Sequence, residues 1–395
     1  MGKQKNPLSK PAIAIAGGGV IGLSVAVLLQ TQGYTTTLYA EEPITDLLAM
    51  PVGTRPQAVA SVHAAASIIP RSVDHPDTLE LTANTQRFLD GMIEKPAFAV
   101  RKSTHWEVFE ERPAEKPDYL RKWPKVTPLP EDGSGQIKQE NAPRRPGAKG
   151  VFGWRYPIYF CEVPVYLKAL WHWYRQMGGT FVQKSFSHPS QLANLPGEMV
   201  VNCLGIGASK LFPQDATNTY LSRGHLVKLN LPQNVRSDAK GWESYNYTPT
   251  REIYWRGCDR DAADVYFYPR SDGWLMGGSR EMGTLQHNGT WQGTNFDQLG
   301  GEVLQKHGWA MSIPKPIWTL NRDVLHEWKG IDIDALEAVP YAGYRFVRTP
   351  LRMEWDTSFK AEYGKPIFHN YGHGGAGYTL SWGSAFRVLE NIQTV

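Results

Sequence analysis

The segment from Ala12 to Glu41 constrains this chain more than any other. Within it, Gly17-x-Gly19-x-x-Gly22 stands between a short apolar run, Ala12–Ala16, and an apolar stretch, Val20–Gln32, that Gly33 is suited to close. Tyr34–Ala40 follows with β-branched Thr35, Thr36 and Thr37, which predicts a second strand. Strand, glycine turn, helix and strand make a βαβ unit, and the glycine spacing has a mechanical reason. Gly17 takes the tight turn, Gly19 lets backbone approach a pyrophosphate, and Gly22 lets the helix lie on the strand. The helix then turns its N-terminus, at Val20 and Ile21, toward the negative charge. Glu41 ends the second strand about 20 residues further on, where a carboxylate accepts from ribose hydroxyls. A purely structural glycine turn explains the glycines but not a strand, a helix and an acid all in register with them.

The stretch Ala12–Leu29 is apolar enough to resemble a secretion or membrane segment. Four glycines interrupt it and no small-residue cleavage pattern follows, so it reads as buried strand plus helix, with no membrane association expected. With 395 residues, the chain suits two domains or one large body carrying an inserted one. Its 41% hydrophobic and 20% charged content argues against wholesale disorder. A net charge of +4, without a lysine or arginine block, argues against nucleic acid as a partner. Cys161, Cys203 and Cys258 form no close pair, so neither a disulfide framework nor a structural zinc is expected and a reducing compartment is the default. The last residues, Ile392–Val395, lack the Ser-Lys-Leu peroxisomal address, and a cytoplasmic location is the expectation.

Further along, Arg112–Gly150 is rich in Pro, Lys, Glu and Gly and reads as an irregular excursion. Val163–Met177 carries apolar residues at helical spacing, and Gly178–Gly179 ends it before a strand at Thr180–Gln183. Glu198–Leu204 predicts a buried strand running into Gly205 and Gly207. Between Tyr220 and Trp274, short alternating runs separated by Pro and Gly predict an antiparallel sheet. The order is that of an α/β nucleotide-binding body interrupted by a second, sheet-rich domain.

Two late features carry chemistry. His369-Asn-Tyr-Gly-His-Gly-Gly-Ala-Gly377 precedes a helix over Tyr378–Gln393, and so many glycines are poor core filling. They free backbone N–H groups to face a site, and the helix start behind them adds a positive end that stabilises an anion. His369 and His373 lie in a loop without a third ligand, so no metal is expected. Arg345, on a predicted strand, faces the opposite way from Arg348 and Arg352 and is available as a planar partner for a carboxylate, against the plainer reading of a surface arginine cluster. No nucleophile elbow, HExxH, Walker loop or paired catalytic carboxylates emerge, which weakens hydrolytic and phosphoryl-transfer readings.

Taken in order, Ile15–Ser24, Val201–Gly205, Arg223-Gly-His225, Gly343-Tyr-Arg345 and His369–Gly377 resemble the D-amino-acid oxidases, FAD enzymes whose relatives include D-aspartate oxidase and glycine oxidase. The resemblance covers most of the chain. It implies an α/β fold: a Rossmann-like FAD-binding domain over 1–100, 151–215 and 335–395, interrupted by an α+β substrate domain with a mainly antiparallel sheet over 101–150 and 216–334. It implies that Gly17, Gly19, Val20, Ile21, Gly22 and Glu41 of the first βαβ unit hold the ADP half of FAD, and Gly205 would meet the cofactor at the carboxyl end of the sheet. Gly372, Gly374, Gly375, Ala376, Gly377 and Tyr378 would face the isoalloxazine. Arg345 and Tyr266, with Tyr268 as the alternative to Tyr266, would hold the substrate carboxylate beside Gly375.

The chain also departs from the family. His63-Ala64-Ala65-Ala66 matches its ring-facing segment only loosely, and Arg101–Gly150 and Gln233–Ala263 differ in length. The second of these, with Trp242, Tyr245, Tyr247, Tyr254 and Trp255, lies where the family carries an active-site lid. An acidic substrate would want a further cation, for which Arg251, Arg256 and Arg270 are sources.

The implied reaction takes a D-amino acid with a neutral amine. Hydride passes from Cα to flavin N5, the imino acid hydrolyses to a 2-oxo acid and ammonia, and O2 is reduced to H2O2, with no side-chain base required. A glycine- or sarcosine-type oxidase, a flavin dehydrogenase with another acceptor and a non-catalytic FAD-binding redox sensor remain as rivals, and a homodimer is left open.

Overall fold

The computed structural model describes residues 10–394 apart from 72, 74, 122–125, 129–141, 232–242, 257–260 and 287–289. Among the described residues, fifteen strands join in one sheet. In chain order they are β1 (Ala12–Ala16), β2 (Thr35–Ala40), β3 (Val100–Phe109), β4 (Thr127–Pro128), β5 (Phe152–Cys161), β6 (Thr180–Gln183), β7 (Met199–Asn202), β8 (Thr219–Asn230), β9 (Ser244–Thr248), β10 (Val265–Arg270), β11 (Gly273–Gly277), β12 (Glu281–Leu285), β13 (Trp291–Gly293), β14 (Glu337–Trp355) and β15 (Ile367–His373). The principal helices are α1 (Val20–Thr31), α2 (Thr78–Ile93), α3 (Val163–Gln176), α4 (Lys315–Lys329) and α5 (Gly377–Gln393).

The predicted βαβ unit forms as read. β1 lies parallel to β2, with Ile15 opposite Leu38, and parallel to β7 on its other side. β6 extends this parallel group beyond β2, and β15 extends it beyond β7. Parallel strands need both faces covered. On one face, Leu23, Val27, Leu167, Leu170, Trp382 and Val388 from α1, α3 and α5 pack over Ile13, Ile15 and Leu38. On the other, Ala14, Ala16 and Val200 meet Leu192, Leu211 and Phe212.

β14 turns the sheet antiparallel. It runs along β8 over the full length of that strand, from Arg348 opposite Thr219 to Glu337 opposite Asn230. From β8 the order continues through β11, β10, β9, β3, β5 and β4. This half is mainly antiparallel, with β3 and β9 running parallel, and has its own core, in which Ile317, Trp318 and Val324 of α4 pack against Tyr245, Phe267 and Trp274. The substrate-side boundary expected at residue 151 falls later by strand pairing. β5 pairs with β3 all along, from Phe152 to Cys161, because its alternating pattern suits a sheet solvated on one face rather than the doubly covered parallel group. The chain returns to the parallel half with α3.

On β14, Arg345 and the pair Arg348 and Arg352 do face opposite ways. The register slips between Val347 and Arg352, a bulge that re-aims the strand as it passes from β8 to β15. A buried charge cluster holds the slip. Arg352 donates to Asp215 at 3.1 Å, to Asp356 at 3.1 Å and to the Tyr371 hydroxyl at 2.9 Å, and Arg348 adds a second contact to Asp215 at 3.3 Å. His369 belongs to this cluster, its ring between Asp356 at 3.1 Å and Asn202 at 3.0 Å. Replacing Arg352 with Met leaves Asp356 and part of Asp215 buried without a cation. The expected loss is about 3–5 kcal/mol of stability, read as a lower urea midpoint. Arg348→Met should cost less, because Arg352 still covers Asp215.

Candidate active site

The two glycine turns singled out above border one cavity, the first through Val20 and the second through Gly374, Gly375 and Gly377, while Gly17, Gly19, Ile21, Gly22, Glu41 and Gly205 are not among its lining residues. At the first, Gly17 adopts φ +115, and a Cβ there would overlap the carbonyl oxygen of Cys203, just past the end of the adjoining strand β7. A Cβ on Gly22 would overlap the carbonyl of Gly17, so helix and strand lie as close as backbone allows. Gly19 packs on Ser61, whose hydroxyl accepts from the N–H of Val20 at 3.0 Å. Ile21 follows Val20 in the first turn of α1. Glu41 is exposed just past the carboxyl end of β2, and Gly205, with φ +56, stands past the carboxyl end of β7. These are the ends of a parallel sheet where ligands bind.

At the second turn, Gly372 takes φ +95 against Arg348 and Gly374 takes φ +54, its N–H donating to Phe346 at 2.9 Å. Ala376 caps α5, its carbonyl accepting from Leu380 at 3.0 Å. Tyr378 and Thr379, in the first turn, fasten the helix to the segment 61–69. The Tyr378 hydroxyl donates to the carbonyl of Ser61 at 2.8 Å, and Thr379 accepts from the N–H of Ile69 at 3.1 Å. Gly374, Gly375, Gly377, Tyr378 and Val20 line the cavity, while Gly372 and Ala376 are buried behind it.

The segment that departs from the family, His63–Ala66, forms another wall of this cavity. Ala66 holds φ +63, a left-handed conformation that costs a Cβ-bearing residue about 1–2 kcal/mol. His63 is buried, and its Nε2 meets the carbonyl of Pro56 at 3.0 Å, so Nε2 carries the hydrogen. Its Nδ1 is a buried acceptor with no partner among the described residues. Burial lowers the ring to about 4, aided by Arg55 and Arg270 and opposed by the Pro56 carbonyl.

Arg345 enters the cavity from the middle of β14. A Cβ on Gly224 would come within 2.5 Å of its guanidinium, and one on Gly277 would overlap the ring of Tyr266. Glycine at these two strand positions is therefore what gives both side chains room. Arg345 donates to the carbonyl of Ser279 at 3.3 Å and to the hydroxyl of Tyr266 at 3.4 Å. Tyr268 also lines the cavity, but its hydroxyl donates to Asn246 at 3.0 Å, so geometry pairs Tyr266 with Arg345.

Two further arginines stand at the same wall, Arg71 and Arg280. Arg71 meets Glu107 at 3.1 Å and Asp264 at 3.2 Å, and Arg280 holds Asp264 through both terminal nitrogens. Asp264 and Glu107 are 0% and 1% exposed, so these acids exist as ions only because the guanidiniums neutralise them. Burial alone would raise the Glu107 carboxyl, yet Arg71 and His105 hold it below its ordinary value. The cations read from the sequence lie elsewhere. Arg270 clamps Asp272 and the carbonyl of Ala64, Arg251 pairs with Glu252 at the surface, and the side chain of Arg256 lies outside the described residues. Nothing in sequence spacing ties Arg71, Glu107, Asp264 and Arg280 together; the sheet does.

The aromatic lid is corrected as well. Tyr245 and Tyr247 are fully buried in the core beside α4, because β9 is an inner strand. Tyr254 and Trp255 line a second cavity next to the first, and Trp242 lies outside the described residues.

Two glycine turns and an arginine thus border one cavity between a parallel and a mainly antiparallel half-sheet, an arrangement suited to a nucleotide cofactor beside a small anionic substrate. A family model described as FAD dependent oxidoreductase matches residues 12–390, and the chain belongs to that family, with FAD as its cofactor. It is similar to the D-amino-acid oxidase of Rubrobacter xylanophilus, at 27% identity over 94% of this chain and 92% of that protein. It is also similar to human D-aspartate oxidase, at 23% identity over 96% of this chain and 94% of that one. The fold is shared with the glycine oxidase of Bacillus cereus, with a TM-score of 0.61 and 16% identity covering 98% of each chain. The residues present fit FAD. Two turns that a Cβ would fill suit close backbone approach, two helix starts suit anionic groups, and the orphaned Nδ1 of His63 suits an N–H or O–H donor. Among the described residues, no helix is long and apolar enough to cross a membrane.

The buried histidines set a pH dependence. Burial lowers His63 to about 4, and His225 and His373, also lowered by neighbouring positive groups, to about 3; His105 and His369 are lowered as well. The unfolded chain takes up these protons first, near pH 6.5, so the stability present above that value is lost as pH falls toward 4. The urea midpoint should fall steadily between about pH 7 and about pH 5, and His63→Leu should flatten the slope.

Proposed function

We propose that this chain oxidises a D-amino acid to the imino acid, which water converts to a 2-oxo acid and ammonia, with O2 reduced to H2O2. The observation that carries this reading is Arg345. It is a guanidinium with Tyr266 beside it, facing a cavity walled by Gly374, Gly375 and Gly377. Bound FAD supplies the two-electron acceptor for the hydride leaving Cα and the route of those electrons to O2.

The protein's part is orientation. Arg345 takes the substrate carboxylate in a planar charge-assisted pair, and the Tyr266 hydroxyl, already accepting from Arg345, donates its hydrogen to the same carboxylate. With the carboxylate fixed beside Gly375, the remaining substituents of Cα are sorted between the glycine wall and the wall of Arg71 and Arg280. The substrate amine loses its proton to solvent before reaction. Among the described residues facing the cavity none is suited to act as a base, since burial lowers the His63 ring to about 4 and the acids behind the wall are paired. Similarity to the D-amino-acid oxidase of Rubrobacter xylanophilus along nearly the whole of both chains supports the D-amino-acid assignment. Cys161 and Cys203 are free buried thiols, which supports a reducing compartment such as the cytoplasm; Cys258 lies outside the described residues.

Arg345→Ala should lower kcat/KM by about 100-fold or more while flavin content, read from absorbance against protein, is retained. Anaerobic bleaching of the flavin across D-amino acids, glycine and sarcosine tests the assignment itself. Bleaching by glycine or sarcosine alone moves the chain to the amine-oxidase rival, bleaching without peroxide under air to the dehydrogenase rival, and no bleaching to the redox sensor.

A further inference from the structure

The cavity does not end at Arg345. Arg71, Arg280, Arg345 and Gly375 also line a second chamber of about 590 Å³ on their far side. Among the described residues, Tyr254, Trp255, Phe296, Leu299, Met282 and Val347 give it largely apolar walls. Its size is that of pockets holding whole drug-sized ligands, about 300–1,000 Å³, well beyond what the side chain of a free amino acid fills. Tyr220 and Met282, which also border it, are 39% and 44% exposed, so a large apolar surface stands ready for an occupant.

The neck between the chambers limits what passes. Arg71 and Arg280 bring two positive charges and Glu107 and Asp264 two negative ones, so the neck has no net charge to offer a side-chain carboxylate. It does offer hydrogen bonds. Arg71 engages its acids through Nη1 and Arg280 through its two terminal nitrogens, which leaves N–H donors on both guanidiniums. A neutral acceptor such as an amide carbonyl satisfies them without adding charge.

We propose that the preferred substrate is a D-amino acid whose side chain is lengthened by an uncharged carbonyl link to an aryl or branched apolar group, as in an ω-N-acylated D-lysine. Its carboxylate sits on Arg345, its link carbonyl at Arg71 and Arg280, and its end group against Tyr254, Trp255 and Phe296. The chemistry at Cα is unchanged, and the inference rests on the D-amino-acid reading above.

The test compares D-alanine, D-lysine, D-glutamate and Nε-benzoyl-D-lysine with the FAD-loaded enzyme, in wild type and in Leu299→Trp, a half-buried wall position. Nε-benzoyl-D-lysine should exceed D-alanine in kcat/KM by about tenfold or more, and D-glutamate should be the poorest. Leu299→Trp should remove most of that advantage and leave D-alanine unchanged. Calorimetric binding of benzamidohexanoate, which has the carboxylate, carbonyl and ring but no oxidisable amine, should weaken in step. D-alanine oxidised as well as or better than the benzoylated substrate, or a Leu299→Trp variant that discriminates no differently, overturns the inference and leaves D-amino-acid oxidation standing. Failure of every D-amino acid, with glycine or sarcosine oxidised instead, overturns the functional reading beneath it.

Discussion

The pairing of β8 with β14 is the constraint on which the rest of the molecule depends. One ladder, from Thr219 opposite Arg348 to Asn230 opposite Glu337, carries the sheet from its parallel to its antiparallel half. Alternation along β14 then separates two kinds of arginine. Arg345 faces the cavity, and Arg348, at the slip in register, and Arg352, past it, face the buried acids Asp215 and Asp356. A slip of one residue would exchange the two sets, leaving the cavity without its arginine and the acids without a cation. The charge cluster and the cavity are thus two consequences of one register.

Charge compensation is the second organising principle. Among the described residues three arginines border the cavity; two of them are matched by Asp264 and Glu107, and Arg345 has no acid paired with it. A cavity lined by three free guanidiniums would bind anions indiscriminately and repel itself. With two neutralised, the proposed substrate carboxylate would have a single address, and the other two guanidiniums would be left as hydrogen-bond donors at the mouth of the outer chamber.

Much of the fold was legible from local chemistry. The βαβ unit could be read because Gly17, Gly19 and Gly22 answer to steric demands within a few residues of themselves, and the loop from His369 to Gly377 because so many glycines serve no packing purpose. The strand alternation that sends Arg345 one way and Arg348 the other is equally local. The reading failed where a residue's role depends on strands distant in sequence. Tyr245 and Tyr247 read as lid and are core, because β9 lies inside the sheet. Arg270 was a candidate pocket cation and is spent on Asp272 two positions away. Gly224 and Gly277 carried a signal in retrospect, as glycines inside strands that mark where a neighbouring side chain must pass.

The sequence by itself therefore determined the strand–turn–helix–strand unit, the second glycine turn and the alternation that sets Arg345 apart from Arg348 and Arg352, since each rests on backbone geometry or alternation over a short span. Only the tertiary structure decided which tyrosine stands beside Arg345, which arginines reach the cavity and which acids silence them. It alone also showed that a second chamber opens behind the first. These are matters of which strands become neighbours, and hydrogen bonds and ion pairs between side chains far apart in the chain, such as Arg71 and Asp264, exist only once that neighbourhood is formed.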